Sequence, residues 1–98
     1  MTEISIVVPL YNEDGVVDEL YRRLTEVLEN TKRSFEIVFV DDGSTDSTLM
    51  KAEAVTARDP RVKLIVLRAN FGQTAGIAAG IDHASGQIII PMVGAPRT

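Results

Sequence analysis

The run Ile4-Ser5-Ile6-Val7-Val8-Pro9-Leu10 constrains the fold of this chain more than any other stretch. Its β-branched residues fall on both faces of a strand, so neither face can be left to water. It reads as a strand buried in a parallel sheet. Such a sheet needs helices on its faces, and the sequence downstream supplies them. Pro9 has no N–H to give, so the ladder is expected to end near it.

The period of hydrophobicity then switches repeatedly. Val16, Val17, Leu20, Tyr21, Leu24, Val27 and Leu28 follow the stripe of an amphipathic helix that ends near Asn30. Residues 35–40 form a second strand. Asp46 stands where it can cap a helix from about Ser47 to Arg58, which Pro60 closes. Residues 62–67 read as a third strand, 73–84 as a helix of small residues stopped by Gly86, and 87–92 as a fourth strand. The order βαβαβαβ defines an α/β fold: a parallel sheet with right-handed crossovers and helices on both faces. The 98 residues hold one small domain. Gly72, Gly76 and Gly80 recur every four residues in a helix too short and polar to span a bilayer, so they imply close packing of that helix on the sheet.

Composition narrows the chemistry. With no cysteine and one histidine, His83, the chain excludes disulfides, a thiol nucleophile, and Cys-based or multi-His metal sites. His83 itself is expected to be a partly exposed helix residue. Fourteen acids against ten bases give a net charge of −4, and the densest basic pairs, Arg22/Arg23 and Lys32/Arg33, read as solvated positions. A broad nucleic-acid-binding surface is therefore not expected. No apolar run nears the ~18 residues of a membrane span and the N-terminus has no signal-peptide pattern. A soluble cytoplasmic domain is the expectation.

Ligands of open parallel sheets bind beyond the carboxyl ends of the strands, where strand order reverses. Three polar segments fall at those ends: Pro9-Leu10-Tyr11-Asn12-Glu13, Asp41-Asp42-Gly43-Ser44-Thr45-Asp46 and Arg68-Ala69-Asn70-Phe71-Gly72-Gln73. Adjacent carboxylates at the end of a buried strand repel each other. One of Asp41 and Asp42 is expected to face the cleft, where it can read the N–H edge of a base, and the other to meet backbone donors. Shaping the turn at Gly43 explains the pair equally well. Tyr11 offers a flat face to a base or sugar, or else closes the core edge. Glu13 and Asp14 precede a helix whose dipole could account for one of them. Arg68 suits a phosphate or simply the surface. GxGxxG, GxxxxGK[ST] and GxSxG motifs are absent.

Together, Ile4-Ser5-Ile6-Val7-Val8-Pro9-Leu10-Tyr11-Asn12-Glu13, Val40-Asp41-Asp42-Gly43-Ser44-Thr45-Asp46 and Arg68-Ala69-Asn70-Phe71-Gly72-Gln73 closely resemble family 2 glycosyltransferases. The NFGQ stretch and Asp82-His83-Ala84-Ser85-Gly86 look most like the polyprenol- and dolichol-phosphate branch. The resemblance implies a truncated, Rossmann-like GT-A fold whose residues 1–92 form the nucleotide-sugar-binding half, with 93–98 a divergent tail. It implies that Pro9, Tyr11 and Glu13 line the nucleotide pocket. Asp42 would bond the base with Asp41 supporting it, and Arg68 would lie near the base or phosphates.

The family's fourth strand leads into an Asp-x-Asp motif that binds magnesium or manganese. Here those positions are Val93 and Ala95, which offer no side-chain oxygen to a hard cation. Transfer needs neutralisation of a departing diphosphate and a base. The expectation is a chain with no catalytic or metal-binding residues of its own, which binds UDP- or GDP-type nucleotides weakly and transfers no sugar. The alternative is a non-catalytic interaction module that self-associates through Ile88-Ile89-Ile90, left on a sheet edge.

Overall fold

A computed structural model describes residues 1–92. The divergent tail, Val93 and Ala95 included, lies outside the described residues. The elements follow in the order β1 (Ile4–Leu10), α1 (Val17–Asn30), β2 (Phe35–Asp41), α2 (Thr48–Arg58), β3 (Val62–Val66), α3 (Gln73–His83) and β4 (Ile88–Pro91). The four strands form one parallel sheet in the order β3-β2-β1-β4. Every residue of β1 and β2 is buried, as two-sided apolar strands at the centre of a sheet must be.

Strand alternation divides the core between two faces. Ile4, Ile6, Val8 and Leu10 of β1 join Phe35, Ile37 and Phe39 of β2 against Val17 and Leu28 of α1 and Ala52 and Val55 of α2. Val7, Val38 and Val40 turn the other way and meet Ala79. α1 and α2 thus cover one face and α3 the other. Leu10, Ile37 and Phe39 are fully buried, which stabilises the fold by about 1.5–3 kcal/mol for each side chain.

The glycines of α3 divide their roles. A Cβ at Gly80 would overlap Val7 Cγ1 and stand 3.1 Å from Val40 Cγ2, and one at Gly76 would touch Pro9 Cβ at 3.3 Å. These two let the helix lie close on β1 and β2. Gly72 has no such neighbour; it is needed because the chain enters α3 at φ +98°.

β1 ends at Leu10, one residue past Pro9, near where the proline was expected to stop the ladder. In a parallel ladder alternate residues bond opposite neighbours. Leu10 C=O accepts the Asp42 N–H (2.9 Å) on the β2 side, whereas Val7 C=O accepts the Met92 N–H (2.8 Å) on the β4 side. Pro9 shares the orientation of Val7, so its missing donor faces β4, just past the last pair of that ladder, Val7 with Pro91. The proline stops one ladder and spares the other.

At the amino ends of the strands, buried Glu36 ties four segments together. Its Oε2 accepts from the Ser5 hydroxyl (2.6 Å) and from the Ser85 amide (2.7 Å) and hydroxyl (3.0 Å), and Lys63 Nζ lies 2.8 Å from Oε1. Burial raises the Glu36 pKa, but the Lys63 ammonium and the Ser5 and Ser85 donors outweigh it and hold the group down at about 2. On the other face, Asp59 accepts the Tyr21 hydroxyl at 2.6 Å and a two-pronged contact from Arg61.

β4 forms one edge of the sheet. Ile88, Ile89 and Ile90 are 53%, 36% and 44% exposed, so the apolar strand is open, as its sequence led us to expect of an edge position. Among the described residues no helix is long and apolar enough to cross a membrane.

Candidate functional site

Strand order reverses between β1 and β4, because β1, β2 and β3 run outward in one direction and β4 returns to the far side of β1. The loops after β1, β2 and β3 stand on the carboxyl rim beside this point, which is where the sheet geometry puts a ligand cleft.

The loop after β1 and the loop after β2 are fastened by side chains from both. Asn12 Oδ1 accepts the Thr45 N–H at 2.8 Å, and the Asn12 N–H donates to the Ser44 hydroxyl at 3.0 Å. Next along, the Glu13 N–H donates to Thr48 Oγ1 at 2.7 Å, and Lys51 Nζ reaches the Asp14 carbonyl at 2.7 Å. Asp46 accepts the Thr48 N–H at 2.9 Å, so it does cap the start of α2, from one residue before the helix-flanking Ser47. The Thr48 N–H and hydroxyl and the Asp14 amide hold the Asp46 carboxyl below its ordinary range against the opposing effect of burial.

The loop after β2 is in turn seated on the loop after β3. Asp42 accepts the Phe71 N–H (2.8 Å) on Oδ1 and the Gly72 N–H (2.9 Å) on Oδ2. Gly43 has φ +71°, and a Cβ there would overlap the backbone of Ala69 and Asn70. Glycine is required twice over, by its dihedral and by that close approach. Three loops therefore form one connected rim.

The acidic pair does not divide as the sequence led us to expect. Neither carboxylate is open: Asp41 is 1% exposed and Asp42 0%. Asp42 takes the backbone donors. Asp41 Oδ1 is buried with no hydrogen-bond partner among the described residues, and a lone carboxylate oxygen out of water is costly. Strand parity explains the difference, since Asp41 continues the α1/α2 face of Phe35, Ile37 and Phe39 while Asp42 leaves the strand toward the third loop.

The other anticipated residues sort clearly. Tyr11 is half-buried at the exit of β1, and its N–H donates to Glu13 Oε1 at 3.2 Å. Glu13 thus folds back on its own loop, and neither it nor Asp14 lies in the first turn of α1, where the acids are Asp18 and Glu19. The helix-dipole reading of Glu13 and Asp14 is therefore corrected. Pro9 lies in β1 beneath Gly76. Arg68 is exposed on the third loop and makes no hydrogen bond or ion pair among the described residues. His83 ends α3, exposed, with Nδ1 3.0 Å from the Ala79 carbonyl, far along the helix from the rim. Sequence reasoning missed Asn12, Ser44, Thr45 and Thr48 as the fasteners. The available signal was asparagine itself, which tolerates the left-handed conformation it adopts here, φ +50°.

Among the described residues no group of three or more His, Asp or Glu side chains could hold a divalent ion, and the Asp42 and Asp46 carboxylates are taken up by amide donors.

Sheet order and crossover helices together define a parallel α/β fold of the GT-A type. The sequence matches Glycosyl transferase family 2 over residues 5–92, and the chain belongs to that family. It is 41% identical over 93 residues to the dodecaprenyl-phosphate galacturonate synthase of Rhizobium johnstonii, covering 94% of this chain and 28% of that protein. Among solved structures it is similar to S. aureus TarS 1–349 in complex with UDP, with TM-score 0.75 and 28% identity over 93% of this chain and 27% of that one. It is similar also to the mannosyltransferase PcManGT from Pyrobaculum calidifontis in complex with GDP-Man and Mn2+, with TM-score 0.71 and 26% identity over 89% of this chain and 26% of that one. The chain thus spans little more than a quarter of the relatives it matches.

Proposed function

We propose that this chain is the nucleotide-recognising part of a glycosyltransferase that moves a hexosyl group from a nucleoside diphosphate sugar, with a polyprenyl phosphate as acceptor. The observation that carries the reading is the connected rim at the strand-order reversal. It brings to one end of the sheet an aromatic ring at Tyr11, the acid pair Asp41 and Asp42, and the cation Arg68, unpaired among the described residues. A ring suits a base, a buried carboxylate oxygen suits its N–H edge, and a guanidinium suits a phosphate. The relative named for a dodecaprenyl phosphate and the neighbours bound to UDP and GDP-Man support the same donor and acceptor classes.

In this reading Pro9, Tyr11 and Glu13 line the nucleotide pocket and Arg68 lies near the base or phosphates, while the buried Asp42, with Asp41 supporting it, sets the rim on the base side. These 98 residues bind nucleotide weakly and transfer no sugar, because Val93 and Ala95 bring no side-chain oxygen for an ion to neutralise the departing diphosphate. A cytoplasmic setting is part of the proposal. The test is calorimetric titration with UDP and GDP beside a transfer assay on UDP- and GDP-sugars. Kd values from high micromolar to millimolar, about −4 to −6 kcal/mol, with no transfer are expected. Turnover, or tight metal-dependent binding, would overturn it.

A second reading rests on the open edge at β4. Ile88, Ile90 and Met92 bond toward β1, so Ile89 and Pro91 face outward, and Pro91 has no N–H to offer. Self-pairing through this edge is then centred on Ile89 and short. It accounts for an apolar edge but not for the rim, so it stands second.

A further inference from the structure

We infer that Asn12 is a positioning residue that holds the Tyr11 loop and the Asp42 loop in their binding arrangement before any nucleotide arrives. The inference rests on the proposed nucleotide site and adds to it a residue that touches no ligand.

Asn12 and Lys32 are the two non-glycine residues with positive φ among the described residues, at +50° and +61°. Lys32 lies at the end of α1, where one left-handed residue commonly closes a helix. Asn12 closes no helix. Its left-handed backbone turns the chain sharply just after β1, so that its own N–H and its own side-chain oxygen both face the loop after β2. One residue thereby makes two bonds across the gap, to Ser44 and to Thr45, and the Thr45 hydroxyl approaches the same Oδ1 at 3.3 Å. Alanine could adopt the turn only with strain and would leave the Thr45 N–H without this partner. Glycine would relieve the turn and still lose the partner. Aspartate keeps both the acceptor and a tolerance of the left-handed region.

The placement gives the contact its consequence. Tyr11 directly precedes Asn12, and the segment that Asn12 grips begins two residues after Asp42. Asp42 is already fixed to the third loop by the Phe71 and Gly72 amides. Asn12 is thus the link nearest the ring and the carboxylates, with the Glu13–Thr48 and Lys51–Asp14 bonds lying farther along. Without its side chain each binding event must also order the Tyr11 end of the first loop against the Ser44–Thr45 turn, which weakens affinity without removing any ligand contact.

The test compares wild type, Asn12→Gly and Asn12→Asp in three measurements: melting temperature, hydrogen exchange of the Thr45 amide without nucleotide, and Kd for UDP and GDP. Asn12→Gly is expected to melt within a few degrees of wild type, to exchange the Thr45 amide about tenfold faster, and to bind about tenfold more weakly. Asn12→Asp is expected to stay within about twofold of wild type in exchange and binding. Unchanged binding in Asn12→Gly overturns the inference, as does Asn12→Asp behaving like Asn12→Gly. A wild-type chain that ignores both nucleotides overturns the functional reading and, with it, any positioning role for binding. Fast Thr45 exchange in Asn12→Gly would then still establish the clasp as a structural link only.

Discussion

Asp42 Oδ2 lies 2.9 Å from the Gly72 amide nitrogen, joining the end of β2 to the start of α3 across 30 residues of sequence. The other oxygen holds Phe71 in the same way, at 2.8 Å. A carboxylate that accepts two amides at a glycine with φ +98° fixes the entry of the helix as well as the loop.

Replacing Asp42 by alanine should therefore cost stability before it costs binding. Both amides lose a charged acceptor, and a loss of about 2–3 kcal/mol in urea unfolding is expected. Asp42→Asn should lose less, since one oxygen remains. The amide resonances of Phe71 and Gly72 report the change directly; if they stay in place in the alanine variant, this contact does not hold the loop.

The Gly80 contact yields an opposite pair of outcomes. A methyl at Gly80 would overlap Val7, a stiff and fully buried neighbour, so Gly80→Ala should destabilise by about 1–2 kcal/mol despite alanine's better helix propensity. Gly15 has nothing within 4 Å of its would-be Cβ, so Gly15→Ala should leave the melting temperature nearly unchanged. Melting curves for both variants decide the matter, and equal behaviour would contradict the close approach of α3.

Acid should weaken the fold through Glu36. Its folded pKa of about 2 lies below the ordinary 4.5, so the unfolded chain takes up this proton first. The stabilisation is complete above about pH 4.5 and is lost as the pH falls toward 2. Asp59, held low chiefly by Arg61, acts in the same direction. Unfolding free energies measured from pH 6 to 2.5 should fall steadily in wild type and less steeply in Glu36→Gln. An identical slope would remove Glu36 from the account.

The edge at β4 gives a clean probe because the Ile89 N–H faces away from β1. Ile89→Pro removes the outward donor and leaves the β1 ladder intact. If the edge pairs with a second copy, sedimentation of wild type at several hundred micromolar should show association that the variant lacks. A wild-type chain that stays monomeric there would dismiss self-pairing.

The fold was legible in the sequence because its signals were local. The two-sided apolar runs could only be central parallel strands, and the stripe from Val16 to Leu28 could only be a helix lying against them. The resemblance of the three rim segments to family 2 glycosyltransferases added the cleft. What stayed hidden was orientation. Nothing in Asp41-Asp42 tells which carboxylate leaves the sheet, because that depends on where the β3–α3 loop, some 30 residues on, brings its amides. The side on which Pro9 acts was hidden for a related reason: whether a missing N–H matters depends on which neighbour it faces. Asn12 passed unnoticed since its partners, Ser44 and Thr45, are more than 30 residues away.

The central claim is that the rim around Tyr11, Asp42 and Arg68 holds a nucleoside diphosphate. An amide NMR titration of the labelled chain with UDP and with GDP, with and without manganese, tests it most directly. The account predicts metal-independent shifts confined to residues 9–14, 41–46 and 68–73, saturating in the high micromolar to millimolar range. A well-dispersed spectrum that neither nucleotide moves, or shifts that appear only with manganese, would contradict it.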